Sequence, residues 1–308
     1  MTKTPLPTLA ITGGTGFVGA TLVRHAVMRG HAVRALTRRA QAGHGRIRWI
    51  EGALDQPDSL ARLVEGADAV IHVAGAINAP SRDAFAEANV AGTLNMVEAA
   101  RAAGVRRFIH VSSLAARAPD LSDYGWSKAR SEQVVGASGL DWTVVRPPAV
   151  YGPGDRETLE LFRWARRGLV LLPPPGRISV IEVSDLSRLL LTLVGAEDSL
   201  AQIYEPDDGR EQGWSHREFA EAIGVAVGRR RVRTLGLPRP ILAAGARLDR
   251  LVRGRKAKLT PDRVGYFCHP DWVAAADRRP PADLWRPHIA THAGLKATAI
   301  TYRTSGWL

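Results

Sequence analysis

The sequence predicts an α/β fold built on a doubly wound parallel sheet, and three observations carry that prediction. Short apolar runs alternate with amphipathic stretches along the first half of the chain, the pattern of strands buried on both faces and linked by helices. Glycines crowd the point where the first apolar run meets the first helical stretch, at residues 13, 14, 16 and 19. Finally, 308 residues with 45% hydrophobic content suffice for a substantial core, while no apolar run approaches the length of a membrane-crossing helix.

Leu9-Ala10-Ile11-Thr12 reads as a buried strand, and residues 20–30 as an amphipathic helix stopped by Gly30. Between them, Gly13-Gly14-Thr15-Gly16-Phe17-Val18-Gly19 carries two overlapping glycine spacings. One glycine makes the tight turn, one lets a pyrophosphate approach the backbone, and one lets helix pack on strand. The phosphate then rests on the free N–H groups of the helix. A Rossmann-type dinucleotide site is therefore predicted here, with Gly13, Thr15, Gly16, Phe17, Val18 and Gly19 against the cofactor.

A second strand, residues 32–36, ends in Thr37-Arg38-Arg39. An acidic residue at that place usually grips the ribose hydroxyls of NAD. None is present, and a guanidinium pairs with a 2′-phosphate in a two-bonded fork. NADP is expected ahead of NAD, with Arg38 and Arg39 as its readers.

Strands at 47–50, 69–75, 107–113 and 142–146 and helices at 57–64, 84–103 and 124–135 extend the alternation. Pro57 opens one helix, and Gly66 and Gly104 follow the ends of two. Beyond residue 155 the pattern loosens into a helix at 159–167, a proline-rich turn at 171–176, a strand–helix unit at 178–194 and a short strand at 203–205. Ser215-His216-Arg217-Glu218 is a capping box opening a helix to about residue 227. The expected division is a dinucleotide-binding domain at 1–155, to which 178–205 returns, and a smaller, interleaved substrate-binding part from 156–177 and 206–308.

The single cysteine, Cys268, excludes an internal disulfide and a cysteine-built metal cluster, and no metal site is expected. Residues 1–8 fit no signal peptide, so a cytoplasmic chain is expected. The net charge of +12 admits nucleic acid, an anionic membrane or a polyanionic ligand as partners.

Tyr124 and Lys128 stand four apart on a predicted helix and share a face. A neighbouring ammonium favours the phenolate and is expected to lower the tyrosine pKa. Ser113 falls at the carboxyl end of the fifth strand, where ligands sit in open parallel sheets. Its hydroxyl suits a substrate oxygen while Tyr124 gives or takes the proton, and a nicotinamide supplies the hydride chemistry.

These residues, with Val73-Ala74-Gly75-Ala76, Asn89-Val90-Ala91-Gly92-Thr93, Val111-Ser112-Ser113, Tyr124-Gly125-Trp126-Ser127-Lys128 and Arg146-Pro147-Pro148-Ala149-Val150-Tyr151-Gly152-Pro153-Gly154, make the chain resemble the extended, epimerase/dehydratase-like branch of the short-chain dehydrogenase/reductase superfamily. The match covers the first half closely, and Asp185-Leu186 and the ending from Gly294 to Leu308 support it. The resemblance implies Tyr124 as acid–base, with Lys128 tuning it and holding the nicotinamide ribose. It implies Ser113, rather than Ser112, orienting substrate, and Asn89 supporting the proton relay or kinking its helix. It also implies Ala74, Gly75 and Ala76 along the adenine-ribose side, and Pro147 and Val150 beside the nicotinamide. Ala53 and Leu54 occupy the adenine-facing place where the branch often has an aspartate after glycine. Ala149 stands where sugar-nucleotide members often carry asparagine. That departure points to less polar substrates, as in hydroxysteroid dehydrogenases and dihydroflavonol-type reductases.

The implied activity is interconversion of an alcohol and a ketone on an apolar or mid-sized small molecule, with a homodimer inherited from the family. A sugar epimerase or dehydratase shares this chemistry. A non-catalytic dinucleotide-binding regulator does not, and the presence of Ser113, Tyr124 and Lys128 argues against it. Residues 229–258 hold eleven Lys/Arg and one acid, Asp249. Ile241, Leu242, Leu248, Leu251 and Val252 share a helical face there, with Arg247, Arg250, Arg253 and Arg255 elsewhere. Two readings stand: peripheral membrane contact, or a stripe packed on the domain with solvated arginines. Nucleic acid is not expected, since no recognition motif or interleaved aromatics accompany the charge.

Overall fold

The computed structural model describes residues 6–43, 45–254, 257 and 259–308; Arg255, Lys256 and Lys258 of the basic segment lie outside the described residues. The elements run β1 (Leu9–Thr12), α1 (Phe17–Met28), β2 (Val33–Thr37), β3 (Ile47–Glu51), α2 (Pro57–Val64), β4 (Ala69–His72), α3 (Arg82–Phe85), a π-helical stretch (Ala86–Ala91), α4 (Gly92–Ala102), β5 (Arg107–Val111), α5 (Asp123–Gly136) and β6 (Asp141–Val145). Then follow β7 (Ala149–Tyr151), α6 (Leu159–Arg167), β8 (Leu169–Leu172), β9 (Arg177–Ile178), β10 (Val180–Glu182), α7 (Val183–Thr192), β11 (Gln202–Tyr204), β12 (Trp214–Ser215) and α8 (His216–Ala226). The chain closes with β13 (Arg233–Gly236), α9 (Arg239–Arg253), α10 (Pro261–Phe267), β14 (Asp271–Trp272) and α11 (Thr291–Thr304).

Seven strands form one sheet in the order β11-β6-β5-β4-β1-β2-β3, every pair parallel. Along β1, Leu9 and Ile11 enter one core with Leu22 and Ala26 of α1 and Leu186 and Leu190 of α7. Ala10 enters the opposite core with Leu60 and Leu63 of α2, Met96 of α4 and Val135 of α5. The alternation of a strand's side chains thus gives each face its own helix layer. The sheet order reverses between β1 and β4, and ligands of open α/β sheets bind above such a switch at the strands' carboxyl ends. A third core, with Tyr151, Phe162, Phe219, Ile223, Leu295 and Tyr302, lies under α6, α8 and α11.

Four sequence expectations are corrected. Strands predicted to reach residues 75 and 113 stop at His72 and Val111: the Val73 and Ala74 N–H groups donate to Thr12 Oγ1 rather than to a neighbouring strand, and Ser113 instead caps a short turn that opens at Leu114. The helix expected at 84–103 is interrupted by its π-helical stretch. The turn expected from residue 171 begins later, since Leu169–Leu172 pairs with β13 some sixty residues away. The strand opening the unit expected at 178–194 divides: Ile178 pairs with Trp214 and Trp272, and Val180–Glu182 pairs with β7 in a separate two-stranded sheet. Only β11 of that region joins the large sheet, while α7 packs on α1.

Candidate functional site

The turn after β1 is shaped by backbone contact. Gly13 has φ +70, and a Cβ there would stand 2.8 Å from the Ala74 N. A Cβ on Gly19 would stand 2.0 Å from the Gly13 O, so helix and turn meet with no room for a side chain. Gly16 caps α1 without any side-chain acceptor, and with Thr15 it is exposed. The first N–H groups of α1 therefore remain available to an anion, with Phe17 and Val18 half-buried beside them.

Around this cradle, the buried Thr37 donates to the Arg39 O at 2.6 Å and accepts from the Arg39 N. The bend so fixed leaves Arg38 and Arg39 exposed, without a carboxylate partner among the described residues. Ala53 and Leu54 line the next loop, half-buried. Leu54 presses on Gly92, and its carbonyl accepts from Asn95.

Asn89 sits in the π-helical stretch, buried. Its Oδ1 accepts from the Ala76 N at 2.7 Å, while Nδ2 donates to the Ala76 O and to Ser127 Oγ at 2.9 Å. The amide is fully used in tying loop 74–76 to α5. A relay runs beneath it: Thr12 Oγ1, already accepting two N–H groups, donates to His72 Nδ1. That fixes His72 Nε2 as donor to Thr93, whose hydroxyl donates to the Asn89 O. Burial holds the His72 imidazole neutral, down to about 3. Nothing in the sequence singled out this histidine, because its two hydrogen-bond partners lie on separate elements, β1 and α4.

Tyr124 and Lys128 lie on α5, whose first turn is capped by Ser122. A Cβ on Gly125 would stand 2.7 Å from the Ala115 O. That close approach sets the Ser113 hydroxyl near the Tyr124 phenol, where it favours the ionised form. Ser112 turns away and donates to Glu132. Gly75 crosses above, where a Cβ would lie 2.9 Å from Asn89 Oδ1 and 3.8 Å from Lys128 Nζ. Pro147 accepts from the Leu114 N through its carbonyl, and Val150 of β7 is half-buried next along the chain.

The expected lowering of the Tyr124 pKa is corrected. Burial raises it from the ordinary phenol value, and the Ser113 hydroxyl and the Arg263 guanidinium offset this only in part. Lys128 Nζ donates instead to the Val111 O at 2.8 Å, and burial lowers its pKa to about 8, with the Glu132 carboxylate pulling the other way. Glu132 also binds Arg146, which reaches Glu205, which pairs with Arg117. This ion-pair chain braces the strand ends behind the site. The sequence reading missed it; the spacing of Glu132 four residues beyond Lys128 was the available signal. It also missed α10, which packs Tyr266 on the same apolar cluster as Tyr124 and anchors through Asp262, accepting from the Asp123 N.

The arrangement has bare N–H groups at the start of α1 beside a glycine turn and, along the same sheet edge, Ser113 after β5 with Tyr124 and Lys128 on α5. An NAD(P)H-binding family matches residues 13–163. The chain is 38% identical to a ceramide reductase of Caulobacter vibrioides, over 97% of this chain and 96% of that one. It is 29% identical to a 2-alkyl-3-oxoalkanoate reductase of Stenotrophomonas maltophilia, over 94% and 97% of the two chains. Among solved structures it is similar in fold to MoeE5 in complex with UDP-glucose and NAD, with a TM-score of 0.74 and 22% identity over 97% of this chain and 99% of that one.

Proposed function

The chain belongs to the extended short-chain dehydrogenase/reductase superfamily as an NAD(P)-dependent oxidoreductase, and from that premise we propose that it reduces a ketone on a long-chain apolar substrate, using NADPH. What supports this reading is that Ser113, at the carboxyl end of β5, lies near the Tyr124 phenol, with Lys128 one turn further along α5.

The residues fit the dinucleotide. Gly13 and Gly19 let the turn and α1 close on each other, the exposed Gly16 leaves the first N–H groups of α1 bare to a pyrophosphate, and the exposed Arg38 and Arg39 after β2 would read a 2′-phosphate. Bound there, NADPH supplies the hydride. Ser113 holds the carbonyl oxygen through its hydroxyl. Tyr124, kept a neutral phenol by burial, donates its proton to that oxygen as negative charge develops. Lys128 offers a positive charge below the phenol, and Asn89 positions loop 74–76 rather than touching substrate. Residues 1–155 with 178–205 hold the cofactor; 156–177 and 206–308 close over the substrate. A homodimer through α4 and α5 accompanies this reading.

Support for an apolar substrate comes from Ala149, whose place does not offer a sugar a hydrogen bond. The ceramide and 2-alkyl-3-oxoalkanoate in the relatives' names also carry alkyl chains. The test is a fluorescence titration with NADPH and NADH, followed by turnover of long-chain ketones. Tyr124→Phe is expected to lower kcat roughly a hundred- to ten-thousand-fold with NADPH affinity retained. Arg38→Ala with Arg39→Ala is expected to weaken NADPH about tenfold and leave NADH unchanged. Retained turnover in Tyr124→Phe means another group moves the proton. Equal losses for both cofactors remove the NADP assignment, and tightly retained NAD favours an internal-redox epimerase.

A further inference from the structure

Helix α9 lies mostly outside the cores. Ala246 is its buried residue, while Ile241, Leu248, Leu251 and Val252 are 55%, 62%, 83% and 74% exposed. Their spacing of i, i+7, i+10 and i+11 sets all four along one side of the helix. The stripe foreseen in the sequence therefore turns away from the domain, apart from the half-buried Leu242. Scattered exposed aliphatics are ordinary, but a contiguous row on one helix marks a contact surface.

Charge says what that surface meets. Arg247 and Arg250, together with Leu251 and Pro261, line an open groove between α9 and α10. Arg253 is paired with Asp249, whereas Arg247 and Arg250 have no carboxylate partner among the described residues. A layer of phosphates beside an apolar interior answers both features, with aliphatics entering the acyl boundary and guanidiniums at headgroup depth. A protein surface would have to supply acids flanking an apolar strip.

Position adds a consequence. Asp249 of α9 accepts from the Leu259 N ahead of α10, and α10 in turn holds the start of α5 beside Tyr124. Asn78, in the loop beyond β4, reaches the Ala257 O. The segment that follows α9 is thus tied to the elements on either side of Tyr124.

We propose that α9 is an interfacial helix that docks the protein on an anionic lipid bilayer and turns the Tyr124 side of the molecule toward the membrane surface. Entry of substrate from the lipid rests on the reductase reading; the docking does not.

The test is co-sedimentation of the full chain with phosphatidylcholine vesicles, with and without roughly one-third phosphatidylglycerol. The wild type is expected to pellet with the anionic vesicles, and added salt is expected to reduce the bound fraction. Leu248→Ser with Leu251→Ser, and separately Arg247→Glu with Arg250→Glu, should each weaken binding roughly tenfold or more. All four positions are exposed, and a thermal melt checks that each variant is folded. Absence of wild-type binding to both vesicle types overturns the proposal, as does wild-type-like binding by either double variant. A dimer that depends on Leu248 and forms without vesicle binding would assign the stripe to a second copy instead. NADPH titration without vesicles reports on the cofactor site alone, so the two readings fail separately.

Discussion

At the scale of single residues, the candidate site is governed by burial more than by charge pairing. The sequence spacing of Tyr124 and Lys128 puts them on one helix face, and that much was legible from residue number alone. What the phenol experiences was not, because desolvation depends on Phe85, Leu121 and Tyr266 folding around it. Lys128 carries a measurable trace of the same effect. Its folded-state pKa is lowered from 10.5 to about 8, so between those values the unfolded chain binds more protons than the folded one. Stability therefore rises with pH across that window. Lys128→Met is expected to flatten the rise, read as the urea midpoint against pH from 8 to 10.5; an unchanged slope would trace it to other groups.

Among elements, the decisive joint is between α5 and the turn after β5. Gly125 permits it, since a side chain there would strike the Ala115 carbonyl. Gly125→Ala is expected to move α5 away, separating Tyr124 from Ser113. The result should be a kcat lowered about tenfold or more with KM for NADPH little changed. Loss of cofactor affinity instead would mean that the cradle, not the joint, had moved. The π-helical stretch does comparable work for Asn89, aiming its amide at Ala76 and Ser127. Insertions of this kind recur at functional sites, yet the run Ala86-Glu87-Ala88-Asn89-Val90-Ala91 has no local feature that separates it from plain helix. Strand β8 was hidden for a related reason: its partner β13 lies beyond two intervening helices, and hydrogen bonding over that distance leaves no periodicity to read.

Across the whole molecule, the two halves are stitched together. β11 extends the large sheet beside β6, α7 covers α1, and α11 packs on α8 while Tyr151 of β7 enters the third core. Binding at the cradle should therefore stabilise the chain as a unit. NADPH at about a hundred times its Kd is expected to add roughly 2.7 kcal/mol to unfolding, seen as one shifted transition in calorimetry. Two transitions with only one displaced would mean that the halves unfold independently. The sequence by itself determined the parallel alternation, the Gly13–Gly19 turn, the basic end of β2, the shared face of Tyr124 and Lys128, and the apolar stripe of α9. Each is written in neighbouring residues, and spacing alone exposes it. The tertiary structure decided what Ser112, Asn89 and His72 hold, how the residues after 155 divide among separate small sheets, and that the α9 stripe points outward. Those outcomes depend on contacts between distant segments, whose free energy is shared among partners that no local pattern records.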